Sequence, residues 1–171
     1  MPEPVPQDRL QPSLLDRLTD DHPDNRREPV EQRSLSKARL RQAVLRDLAW
    51  LFNTVRLDAG VDLTGLSHVK RSVLNYGMAA LSGKTASTLD ALALTNIIRQ
   101  AIIDFEPRIV PATLQVRTVI DEGTLDHHNV IGVEIQGHLW AQPVPLELLV
   151  RTEIDIETGR VEIADLLPTR A

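Results

Sequence analysis

The sequence predicts an α+β domain in which N-terminal helices cover one face of a small, largely antiparallel sheet. Three observations carry this prediction. Apolar residues recur every three to four positions between Ser36 and Phe105, which is the period of an amphipathic helix. From Leu114 to Ile163 the period shortens to two, that of a strand with one buried face. The 171 residues, 42% hydrophobic and 25% charged, suit one core of conventional size. We assign that core to residues 36–171, apart from a polar N-terminal segment of residues 1–35.

Residues 1–11 hold three prolines and little apolar content, an unstructured lead-in. Pro12 and the capping-type Ser13 then open a short helix with Leu14, Leu15 and Leu18 on one edge. That edge needs a surface to cover. Thr19 to Ser34 is polar, with Pro23 and Pro29, and reads as a linker. Ser36 is the expected N-cap of a long helix whose buried stripe is Leu40, Val44, Leu48, Leu51, Phe52 and Val55. Arg39, Arg41, Arg46 and Asp47 fall off that stripe, as a docking surface or as a solvated helix face. After Gly60 comes a short apolar turn, Ser72 to Tyr76, with Asn75 and Gly77 as terminators. Ser82 to Lys84 reads as a loop, and Ser87 with Asp90 resembles a capping box for a second long helix. Its apolar face is Leu94, Ile97, Ile98, Ala101, Ile102 and Phe105, and Pro107 ends it. Three strands follow, at Leu114 to Ile120, Ile131 to Leu139 and Leu146 to Ile156. Past the turn at Glu157 to Gly159, Val161 and Ile163 can add a fourth.

Composition excludes several classes of function. Aromatic residues make up 3% of the chain, two Trp, one Tyr and two Phe, too few for a surface that stacks bases or sugars. The net charge is −5, and residues 109–171 carry 10 acidic against 4 basic side chains. This balance opposes binding to nucleic acid or to an anionic membrane, and it favours a basic partner for the C-terminal third. With no cysteine there is no disulfide, thiolate metal site or Cys nucleophile. No leader pattern opens the chain, and no run reaches the roughly 18 apolar residues of a membrane span. The expected location is therefore the cytoplasm, without membrane insertion.

Catalytic constellations are missing: there is no G-x-S-x-G, H-E-x-x-H, Walker or G-x-G-x-x-G pattern. His127 and His128 beside Asp126 are the one histidine pair, and they read as a polar hairpin loop because neighbours on one turn rarely reach the same ion. Glu106 is the one acid at a junction suited to burial, and Asp104 reads as a carboxylate on the last helical turn. No catalytic residue, cofactor or metal is expected. The informative cluster is Glu106, Pro107 and Arg108. Proline fixes the backbone and extends Glu106, so both charged side chains project to one side of the helix-to-strand corner. The pair is either a local ion pair, worth about 0–1 kcal/mol if exposed, or a rigid docking fork that leaves the isolated fold nearly indifferent to Arg108→Lys.

Four segments of the chain, in order, resemble the type VI secretion baseplate protein family TssE, a relative of the small wedge protein of contractile phage tails. They are Pro12–Leu18, Val44–Thr54, Ser72–Gly77 and Ile102–Arg108, the last ending in the family's E-P-R triplet. Two departures stand out: Phe52 occupies a position usually Leu, and Met78-Ala79-Ala80 replaces the usual Leu-Pro-Asp. The resemblance implies a structural baseplate subunit with a sheet similar to the handshake sheet of contractile sheaths. It implies contacts with the wedge subunits TssF and TssG through Glu106, Pro107 and Arg108, and with TssK and the sheath subunits TssB and TssC. It also implies a cytoplasmic baseplate docked at the inner-membrane complex. Two other readings are a peptidoglycan hydrolase, because phage relatives have carried a lysozyme label, and a generic cytosolic adaptor. The shortage of aromatics and of paired acids counts against the hydrolase.

Overall fold

A computed structural model describes residues 13–19, 24, 36–80, 91–119, 130–141 and 144–167. The element order is α1 (Leu14–Leu18), α2 (Lys37–Phe52), α3 (Ser67–Lys70), α4 (Ala91–Phe105), then β1 (Gln115–Val119), β2 (Val130–Leu139), β3 (Leu146–Asp155) and β4 (Val161–Asp165). The strands form one antiparallel sheet in sequence order, β1-β2-β3-β4. This is the α+β architecture that the change of period predicts, with Val161 and Ile163 supplying the fourth strand.

One sheet face is apolar. Val116 on β1, Val133, Ile135 and Leu139 on β2, Leu148, Val150 and Ile154 on β3 and Val161 on β4 are all buried. Onto it α2 brings Leu40, Val44, Leu48, Leu51 and Phe52, and α4 brings Leu94, Ile98, Ala101 and Ile102. Burial of these aliphatic side chains is the main stabilising term, about 1.5–3 kcal/mol for each large one. Thr152 is the polar exception in the buried face, and its hydroxyl donates to the Val133 carbonyl.

Helix α2 starts where expected: the Ser36 hydroxyl accepts from Arg39 N. It stops at Asn53, two residues before the apolar stripe does, and Val55 is 62% exposed instead of joining the core. The reason is long-range. The Asn53 side chain donates both to Ala49 O of the helix (2.8 Å) and to Val161 O (2.9 Å) and accepts from Val161 N (3.0 Å), and the next residues turn into a bridge between Val55 and Met78. Gly77 is required there, since its φ is +123° and a Cβ would collide with the Thr54 carbonyl.

The 57–76 stretch holds α3 and two 3-10 turns, Leu57–Ala59 and Val73–Asn75, in place of the single short turn expected. Asn75 does more than terminate: it is buried, accepts from Asp58 N and donates to Lys70 O, tying the stretch together. The Ser82–Lys84 loop, the Ser87/Asp90 capping box, Ile120 and the His127/His128 pair lie outside the described residues. No helix among the described residues is long and apolar enough to cross a membrane.

Candidate docking site at the Glu106-Pro107-Arg108 corner

The corner forms where α4 meets a turn. Glu106 N donates to Ile102 O (2.8 Å), Pro107 cannot continue the helix, and Ile109 N returns to Glu106 O (3.2 Å). The chain then joins the sheet, with Trp140 N donating to Arg108 O and Val110 N to His138 O. Backbone on both sides thus fixes the position of Arg108.

The two charged side chains do lie on one side, as their spacing predicts, but they face each other. Arg108 Nε donates to Glu106 Oε1 (2.6 Å) and Nη2 to Oε2 (2.5 Å), and Arg108 N adds a bond to Oε1 (3.2 Å). Nη2 also donates to Asp47 Oδ2 on α2 (2.5 Å). Glu106 is 3% exposed. The pair is thus a partly buried bidentate bridge, and its carboxylate has no water to fall back on.

From Asp47 the cluster extends outward. Arg46 Nε donates to Asp47 Oδ1 (2.9 Å), and Arg46 Nη1 reaches Asp16 Oδ1 on α1 (2.6 Å). Asp16 also accepts from the Ser13 hydroxyl (2.6 Å). The Tyr76 hydroxyl donates to Asp47 O (3.3 Å), and its ring meets Phe105 edge-on at 5.3 Å. The Arg46 guanidinium lies over Trp50, 5.0 Å from the ring centroid. Arg41, on the same helix, makes a bidentate bridge to Asp165 and holds α2 to β4. Arg41, Arg46 and Asp47 are thus structural ties rather than a freely solvated face.

The electrostatics follow from these contacts. Burial disfavours the Arg108 cation, but Glu106 and then Asp47 outweigh it and raise its pKa above the ordinary arginine range. Burial pushes the Asp16 carboxyl up, yet hydrogen bonds from Ser13 and Arg46 hold it below the ordinary 3.8. The Asp16 bond is the largest influence on Arg46 and raises it against desolvation. Burial pushes the Tyr76 phenol up, helped by the charges of Asp47 and Glu106.

The sequence singles out neither Asp16 nor Tyr76 for chemistry, and it shows Arg46 and Asp47 only as part of a helix's charged outer face, not as partners of Glu106 and Arg108. Pair spacing gives no signal for contacts across 29, 30 and 61 residues. A signal did exist elsewhere: each of the four segments that carry the family resemblance supplies at least one member of this cluster. Asp104 sits apart and accepts from Gln100, one helical turn away. A cavity of about 290 Å³ lies between the Asn53–Val55 and Met78–Ala80 segments and the Thr158–Arg160 turn, and no carboxylate among the described residues lines it. No group of three or more metal-binding side chains occurs among the described residues.

The two sheet edges differ. On β4 the Asn53 amide occupies both main-chain groups of Val161, and the Arg41–Asp165 bridge closes the far end. No such side-chain cover lies along β1 among the described residues. Compared with known families, residues 38–144 match the model of the baseplate wedge protein gp25 family. Neither a curated protein nor a solved structure matches the chain.

Proposed function

The chain belongs to the baseplate wedge protein gp25 family, and from that premise we propose that it is the TssE-type wedge subunit of a type VI secretion baseplate. The family is structural, building the baseplate of contractile, phage-tail-like machinery. In the proposed role the chain binds TssF and TssG through the face around Glu106, Pro107 and Arg108, meets TssK within the cytoplasmic baseplate at the inner-membrane complex, and anchors TssB and TssC at the first sheath layer. Residues 36–171 are the wedge-like domain, and residues 1–35 are its polar extension.

One observation carries this reading. Three of the four segments that resemble the family, though spread over nearly a hundred residues, converge on one ion-pair cluster, Asp16–Arg46–Asp47–Arg108–Glu106, and the fourth joins it through the Tyr76 hydroxyl on Asp47 O. A cluster locked by mutual hydrogen bonds suits a rigid docking face: a partner that meets it finds side chains already ordered, so less entropy is lost on binding. The β1 edge, which no side chain among the described residues covers, supports sheath anchoring, because an added strand needs unpaired main-chain groups. The same cluster disfavours hydrolysis. Both Glu106 carboxylate oxygens accept from one edge of the Arg108 guanidinium and the side chain is buried, so neither oxygen faces a cleft where a substrate could meet it.

The experiment is co-expression of the tagged chain with TssF, TssG, TssB and TssC, followed by purification, with a dye-release assay on peptidoglycan in parallel. Stoichiometric recovery of the wedge subunits without dye release is the expected result. Dye release that Glu106→Gln abolishes would replace the structural reading with the enzymatic one.

A further inference from the structure

Helix α1 is built the wrong way round for a helix that packs on its own domain. At about 100° per residue, Asp16 lies opposite both Leu14 and Leu18. Asp16 is the side turned to the body, through Arg46, and Leu14 and Leu18 are 71% and 73% exposed. None of the helix's residues is buried. A five-residue helix is too short to persist in water on its own hydrogen bonds, so α1 is held by its Ser13 cap and the Asp16–Arg46 bridge while Leu14 and Leu18 stay largely exposed.

Charge narrows the occupant. Asp16, Arg46, Asp47, Arg108 and Glu106 are all paired among themselves. Arg17, one position from the leucine edge, is exposed and makes no ion pair among the described residues. A second copy of the chain docked symmetrically would bring Arg17 toward its own mate, which like charge opposes. A partner with an aliphatic stripe bordered by a carboxylate meets both features.

We propose that α1 is a docking helix, in which Leu14 and Leu18 receive the aliphatic face of a helix from a neighbouring baseplate subunit, and Arg17 pairs with a carboxylate bordering that face. The inference rests on the wedge-subunit reading and assigns a partner surface to a segment outside the Glu106-Pro107-Arg108 corner. Burial of the two leucines against an apolar stripe supplies the favourable term, as each side chain is removed from water.

The test titrates purified TssF–TssG complex with the full chain and with the variants Leu14→Ser/Leu18→Ser and Arg17→Glu. The double variant is expected to bind more than tenfold more weakly with an unchanged melting temperature, because its leucines support nothing in the free protein. Arg17→Glu is expected to weaken binding in the same direction. Binding of the double variant equal to that of the unaltered chain overturns the docking helix while leaving the wedge reading in place. A lowered melting temperature with unchanged binding overturns it too, by making the leucines part of the chain's own packing. Conversion of a self-associated chain to monomer by the double variant, with binding to TssF–TssG unchanged, assigns the face to a second copy instead. Failure of the unaltered chain to bind removes both readings.

Discussion

Helices α1 and α2 share a sequence grammar and have opposite fates. Each begins at a serine whose hydroxyl accepts from a main-chain N–H, Asp16 N in one and Arg39 N in the other. Each carries leucine or valine at helical spacing. In α2 these side chains go into the core and its charges reach outward to Asp165, Asp16 and Arg108. In α1 the charge goes inward and the leucines go out. Amphipathic spacing therefore says that a helix has an apolar face, not what that face meets. For α2 the answer lies within the chain, and for α1 we assign it to a neighbour.

The largest effect is expected where α2 is tied to the corner. Arg108→Ala leaves the buried Glu106 carboxylate without a cation, and the loss of stability in calorimetric or denaturant unfolding should be about 3–5 kcal/mol. Glu106→Gln, which keeps the shape and removes the buried charge, should cost clearly less. If the two variants melt alike, burial of the charge is not what makes the corner costly to break.

Leucine truncation should separate the helices next. Leu48→Ala removes a fully buried side chain of α2 and should cost about 2–5 kcal/mol. Leu18→Ala in α1 should leave the melting temperature of the free chain unchanged. Equal losses at both positions would erase the contrast between them.

The smallest effect concerns pH. Because the folded-state pKa of Asp16 lies below its ordinary 3.8, its contribution to holding α1 is fully present above that value and is lost as pH falls through the lower, folded-state value. In a Trp140→Phe chain, Trp50 emission, which reports the Arg46 guanidinium over the ring, should change on acidification with a midpoint below 3.8. Asp16→Asn should remove that transition.

The layout of the fold was legible because two periods, near 3.6 and 2, mark the helices and strands before any contact is known. What escaped depends on contacts across the fold. Val55 continues the stripe of α2 by spacing, but Asn53 ends the helix by pairing with Val161, 108 residues away. Asn75 reads as a helix terminator, and its burial depends on Asp58 and Lys70. At the corner, the spacing of Glu106 and Arg108 showed that their side chains share a side, and proline explained why they are rigid. Nothing in the local sequence showed that Asp47 closes the triad, because a helix's outward charges look alike until a partner is placed opposite one of them.

The central claim is that neighbouring wedge subunits dock on the face that this ion-pair cluster holds rigid. Titration of folded Arg108→Lys into TssF–TssG, set beside its melting temperature alone, tests it most directly. A lysine keeps the charge but cannot bridge Glu106 and Asp47 with the same planar geometry. The free variant is expected to stay folded, at a cost of about 1.5–3 kcal/mol for the charged hydrogen bonds lost, while its affinity falls more than tenfold, a further loss of about 1.4 kcal/mol or more. Affinity of the folded variant equal to that of the unaltered chain would contradict the claim and leave the triplet a purely internal brace.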